Sequence, residues 1–176
     1  MRVVWRVAAA SLLAAAVWCN ALHAQVSATL TIRGNVEREL VLSIDDLKRL
    51  PVQRFEDART VREAGTRAAA PETARRYTGC LLRDVLERAK PVEKDRFDLR
   101  KSIAIVTASD GYRAVFSWAE LYLSPIGDGA LVVYERDGAP LADAEGPLAL
   151  VSLKDTRPGP RHVKWLRSVE LRVVGD

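Results

Sequence analysis

The tightest constraint on the fold is a recurring pattern of short β-forming runs closed by Asp-Gly turns. Residues 102–108 and 112–116 are rich in Ile, Val, Ala and Phe and flank Ser109-Asp110-Gly111. An Asp-Gly pair between two such runs closes a hairpin, because both turn positions tolerate positive φ. Residues 131–134 lead into a second turn of this kind, Asp137-Gly138, and residues 148–153 and 163–173 add further β-forming runs. Residues 28–33, followed by Gly34-Asn35, open the series. Helical signals are short by comparison. Ser43, with Asp46 three positions on, caps a helix over 44–50 that stops before Pro51, and Ser117 with Glu120 repeats that logic through Tyr122. Thr78-Gly79 opens a helix over 80–89 in which Leu82, Val85, Leu86 and Ala89 share one face. The expected class is α+β, with mixed β-sheets and short helices.

Residues 1–24 read as a signal peptide. Arg2 and Arg6 precede an apolar run over 7–18, and Leu22-His23-Ala24 supplies a small residue before Gln25. That run is shorter than the roughly 20 residues a membrane-spanning helix needs, so no stable span is expected after cleavage, which is placed after Ala24 or Ala28. Residues 25–176 are then a single exported domain, expected in the periplasm. With Arg2 and Arg6 removed, the formal charge falls from +4 to +2 and the remaining charges are interspersed. This pattern lacks the clustered Lys and Arg of a phosphate-tracking surface, so no nucleic-acid partner is expected. Residues 55–76 are charged, poor in aliphatic side chains and without a period, and read as a long loop that could act as a lid or an interaction segment.

Processing leaves Cys80 as the sole thiol and His162 as the sole imidazole. A Cys/His zinc cluster and a two-His-one-carboxylate iron site are excluded by count, and no Gly-x-Ser-x-Gly elbow, phosphate loop or dinucleotide glycine motif occurs. Cys80 has two readings. In the first turn of a helix it could be a reactive thiolate, whereas ahead of an apolar face it is a packed core thiol, and the second reading is preferred. The segment Arg157-Pro158-Gly159-Pro160-Arg161-His162-Val163-Lys164-Trp165-Leu166-Arg167 gathers five cationic or imidazole side chains beside a Gly-Pro turn, and its guanidinium and ammonium groups could clamp an anion there. Strand alternation places Val163 and Trp165 inward and His162 and Lys164 outward, which also describes an ordinary solvated strand.

The order of motifs carries a resemblance. Thr29 to Gly34 (TLTIRG), Leu42-Ser43-Ile44-Asp45-Asp46-Leu47, Tyr77-Thr78-Gly79-Cys80-Leu81-Leu82-Arg83-Asp84-Val85-Leu86, Ala108-Ser109-Asp110-Gly111-Tyr112, Asp137-Gly138-Ala139-Pro140-Leu141, Gly146-Pro147-Leu148 and Val163-Lys164-Trp165-Leu166 follow one another along residues 28–174. This series resembles the molybdopterin-binding domain of the sulfite-oxidase-type oxidoreductases. The resemblance implies the sulfite-oxidase fold and, in the family's enzymes, a molybdenum held by a pterin dithiolene and one cysteine thiolate. That cysteine lies upstream of the element matched by Tyr77-Thr78-Gly79, where residues 55–76 contain none. Cys80 matches an aliphatic position of the family and does not inherit the metal-ligand role. Arg161, His162 and Lys164 match, in part, the contacts to the cofactor phosphate.

The resemblance also implies that exported enzymes of this kind leave the cytoplasm folded, through the twin-arginine route. Arg2 and Arg6 are not adjacent, so a general secretory route is expected instead. The missing thiolate and the export signal together lead to the expectation of an extracytoplasmic binding or interaction module with no catalytic residue, no metal ligand and no cofactor. Its partner is expected to be a small anion or a periplasmic or membrane protein. The alternative is a molybdopterin-dependent oxidoreductase with atypical metal ligation. Replacing Arg161 and Lys164 together by Ala is expected to abolish ligand-induced stabilisation and to leave melting in buffer nearly unchanged.

Overall fold

Two β-sheets pack against a shared core in the computed structural model, which describes residues 28–58 and 74–175. The first sheet contains β1 (Thr29–Gly34), β2 (Leu40–Ser43), β5 (Ser102–Ala108), β6 (Arg113–Ser117) and β11 (Leu166–Val173), in the order β2-β1-β11-β5-β6. The second contains β3 (Val52–Asp57), β4 (Arg75–Leu81), β7 (Ala130–Arg136), β9 (Ala149–Ser152) and β10 (His162–Val163), in the order β10-β9-β7-β4-β3, with β8 (Ala139–Pro140) paired to β7. The β1–β11 pairing is parallel, and the other pairings among the described strands are antiparallel. Strict alternation sets the first sheet. In β5, Ser102, Ala104, Val106 and Ala108 point into the core while the residues between them are half-buried.

The expected caps form. Ser43 and Asp46 make a reciprocal capping box on α1 (Ile44–Leu47), and Ser117 and Glu120 make another on α3 (Trp118–Tyr122). The α2 helix (Leu82–Ala89) buries Leu82, Val85, Leu86 and Ala89, as its periodicity predicts. The Asp110-Gly111 turn joins β5 to β6, with Gly111 at φ 89.

Three expectations are corrected. Thr78, Gly79 and Cys80 do not open a helix but finish β4, because their backbone is tied on one side to β3 and on the other to β7. Residues 55–57 and 75–76 belong to β3 and β4, not to a loop, and the rest of that expected loop, 59–73, lies outside the described residues, as does the 1–24 segment. The strand expected over 163–173 is split between sheets. Trp165 takes φ 51, which ends β10 and starts β11 after a reversal, so its side chain is 47% exposed and not inward. No helix among the described residues is long and apolar enough to cross a membrane.

The second sheet is covered on both faces. Cys80, Val132, Tyr134 and Leu150 face the main core, while Tyr77, Leu81, Leu131, Val133 and Val151 form a smaller apolar cluster on the opposite face. Pro158, Gly159, Arg161 and His162 of the cationic segment border a small cavity beside Tyr77 and Val151 of this second face.

Candidate functional site

Arg161, His162 and Lys164 leave the Gly159-Pro160 turn on and beside β10, and the backbone N–H of His162 donates to Gly159 O at 2.8 Å. The structure brings the three into one region but divides them between two sets of carboxylates. Arg161 is surrounded. Its Nε donates to Asp155 Oδ2 at 2.8 Å, Nη2 to Asp155 Oδ1, and Nη1 to Glu120 Oε1 at 2.8 Å. The guanidinium also lies 4.5 Å from the centre of the Phe116 ring. Glu120 serves twice, because its other oxygen accepts from the Ser117 backbone N–H at 2.7 Å in the α3 capping box.

His162 and Lys164 converge instead on Glu145, which sequence reasoning did not single out. His162 Nε2 lies 2.7 Å from Glu145 Oε2, Lys164 Nζ lies 3.1 Å from Oε1, and Arg136 Nη1 stands 3.8 Å from Oε1. Glu145 is 7% exposed. Burial pushes its carboxyl up, but the hydrogen bonds and charges of His162 and Lys164 outweigh that and bring it down to about 2. An ionised carboxylate only accepts, so His162 Nε2 carries a proton in this pair.

The loop that presents Glu145 is fixed at both ends. Glu145 N–H donates to Ala142 O at 2.8 Å, and Glu145 O accepts from Trp165 N–H at 2.8 Å. Gly146 follows at φ 77 beneath the Trp165 indole, where an added Cβ would fall 2.6 Å from Cδ2. The positive φ of Trp165 thus places its ring against Gly146 and its N–H on Glu145. One signal for Glu145 was present in the sequence, an acid directly before the Gly-Pro pair at 146–147, but its partners lie up to 19 residues along the chain from it.

Behind Arg161 and His162, the side chains of Asp57, Tyr77 and Asp155 leave a cavity of about 10 Å³, room for about one water. A pocket for a cofactor-sized ligand is on the order of 300 Å³ or more. Cys80 lies apart from this site, 0% exposed in the main core, and burial with the nearby Asp84 carboxylate pushes its thiol up to about 12. A thiol in that state is neither a nucleophile nor a ready metal ligand at neutral pH. In protein carrying Cys19→Ser, maleimide labelling of Cys80 should be slower than in unfolding concentrations of urea by roughly a thousandfold or more, because the reaction waits for global opening. Fast labelling of the native protein would overturn the core reading.

Two sheets with a few short helices and a basic turn beside the second sheet define the class of the domain. The family model described as oxidoreductase molybdopterin binding domain matches residues 20–173, and the chain belongs to this family. The crystal structure of the sulfane dehydrogenase SoxCD from Paracoccus pantotrophus is similar over 83% of this chain, with a TM-score of 0.62 and 21% identity, and shares the sulfite-oxidase-type fold. The chain spans only 38% of that protein. No curated protein sequence matches the chain.

Family membership corrects the expectation that no cofactor is involved, because the family points to molybdopterin. The residues present fit that group in part. Lys164 and His162 carry donors of the kind a phosphate takes and spend them on Glu145, whereas the only described thiol is sealed in the core and the cavity among the described residues behind Arg161 and His162 measures about 10 Å³. No group of three or more His, Cys, Asp or Glu that could hold a metal ion occurs among the described residues.

Proposed function

We propose that this domain is an exported, periplasmic ligand-binding member of the molybdopterin-binding family, which takes the phosphate end of its ligand on Lys164 and His162 and offers no protein thiolate to a metal. One observation carries this reading: an ammonium and an imidazole converge within 3.1 Å of a single anionic position, now held by Glu145, at the mouth of the second sheet. Charge-assisted donors at that spacing suit phosphate oxygens as well as carboxylate oxygens. Lys164 is 48% exposed and can swing toward a ligand, while Arg161 keeps the floor of the site in place through Asp155 and Glu120.

Inorganic phosphate at constant ionic strength should raise the melting temperature of the wild-type domain, and Lys164→Ala should remove most of that shift. An equal shift in both proteins would dismiss the site. Protein isolated from its own compartment tests the second half of the reading. Molybdenum present in wild type and lost in Cys80→Ala would place a protein thiolate on the metal and favour an oxidoreductase with atypical ligation, whereas equal molybdenum content in the two proteins is the expected result.

A further inference from the structure

We propose that Glu145 is the resident counter-anion of this site and sets its ligand specificity. Arg136, His162 and Lys164 surround the Glu145 carboxylate at 3.8, 2.7 and 3.1 Å, an arrangement of donors around one anion that would serve an incoming ligand equally well. The backbone of Glu145 is held by Ala142 and Trp165 and cannot retreat, so only the side chain has to rotate to vacate the cage. A monoanionic carboxylate entering from water gains nothing over the carboxylate already there. A dianion such as a phosphate monoester or inorganic phosphate brings more charge and a third acceptor oxygen, and displaces it. Glu145 therefore excludes carboxylates and sulfonates and admits phosphates. The carboxyl is held ionised down to about pH 2, so competition and not protonation opens the cage.

This inference rests on the anion-binding reading, and the test separates the two. Inorganic phosphate and acetate are titrated at constant ionic strength into wild type, Glu145→Gln and Glu145→Gln with Lys164→Ala. Glu145→Gln should bind phosphate at least about tenfold more tightly than wild type and should gain acetate binding that wild type lacks. The double variant should lose both gains. Phosphate affinity equal to or below wild type in Glu145→Gln would overturn the role of Glu145 and leave the anion site standing. Absence of phosphate binding in every protein would overturn both. If Glu145→Gln does not fold, Glu145→Asp serves in its place, since its shorter arm withdraws from the cage. It must show the same gain in phosphate affinity, and its absence overturns the inference.

Discussion

Gly79→Ala should destabilise the domain by about 3 kcal/mol or more and lower its melting temperature by roughly 6–12 °C. The backbone conformation of Gly79 suits any residue, since its φ is not in the left-handed region, so the cost is one of space. A Cβ there would lie 2.1 Å from the carbonyl oxygen of Val132 and 3.0 Å from the Cα of Val133. Both belong to β7, the central strand on which β4 and β9 are paired. Overpacking a flexible side chain typically costs 1–3 kcal/mol by order of magnitude, because the neighbour rotates away. A strand backbone with partners on both sides has no such escape. The register shift between Thr78 and Gly79 is part of the same close approach.

The comparison that isolates the cause is Gly111→Ala. Gly111 has open space around its missing Cβ but φ 89, so it should lose only about 1–2 kcal/mol through the left-handed conformation. Thermal or urea unfolding of the two variants decides the matter, and a smaller loss at Gly79 than at Gly111 would sink the close-approach argument. Movement of β7 should also reach the anion site, because Arg136 closes that strand beside Glu145.

Gly79 also shows where sequence reading succeeds and stops. Tyr77-Thr78-Gly79 was legible as part of a family pattern, yet the glycine read as a helix start because its real constraint is a carbonyl more than fifty residues away in β7. Signals confined to a few neighbouring residues survived. The two capping boxes and the Asp110-Gly111 hairpin depend on contacts between near neighbours in the chain, and the buried face of α2 follows a local periodicity whatever it packs against, so all were legible. The break at Trp165 was not, because a tryptophan at positive φ leaves no trace in alternation and 163–173 looks like one strand.

The candidate site divides in the same way. Arg161, His162 and Lys164 stood out as a cationic cluster, but what each does depends on Glu145, Glu120 and Asp155, none of which the sequence marks as a partner. Glu120 was legible as a cap residue of α3 and not as the acceptor that holds Arg161 from 41 positions away. The burial of Cys80 was legible from the residue type and the apolar face that follows it, whereas its place on β4 was not.

Arg161→Ala should be a stability mutation first, costing about 2–4 kcal/mol, and this replaces the expectation that removing Arg161 leaves melting nearly unchanged. The guanidinium has both ends of its fork committed, to Asp155 and to Glu120, and its face lies on Phe116. Its side chain is largely buried, as is that of Asp155, so truncation strips a charge partner from one carboxylate with little access to water and from a second, Glu120, that is partly exposed. Breaking a fully buried pair costs roughly 3–5 kcal/mol, and the partial exposure of Glu120 brings the figure down. Because Glu120 also caps α3, its release should loosen the Ser117 box as well, a loss visible as faster amide exchange at Trp118, Ala119 and Glu120.

Lys164→Ala is the contrast. Lys164 is half-exposed and shares Glu145 with His162, so its loss should cost no more than about 1 kcal/mol. Melting of both variants in buffer without phosphate, followed by a phosphate titration, separates holding the site from using it. Arg161→Ala should melt roughly 4–16 °C lower, and Lys164→Ala within a few degrees of wild type but without its phosphate shift. If Arg161→Ala melts like wild type and Lys164→Ala is the unstable variant, the division of labour between the two cations is the reverse of the one the geometry dictates.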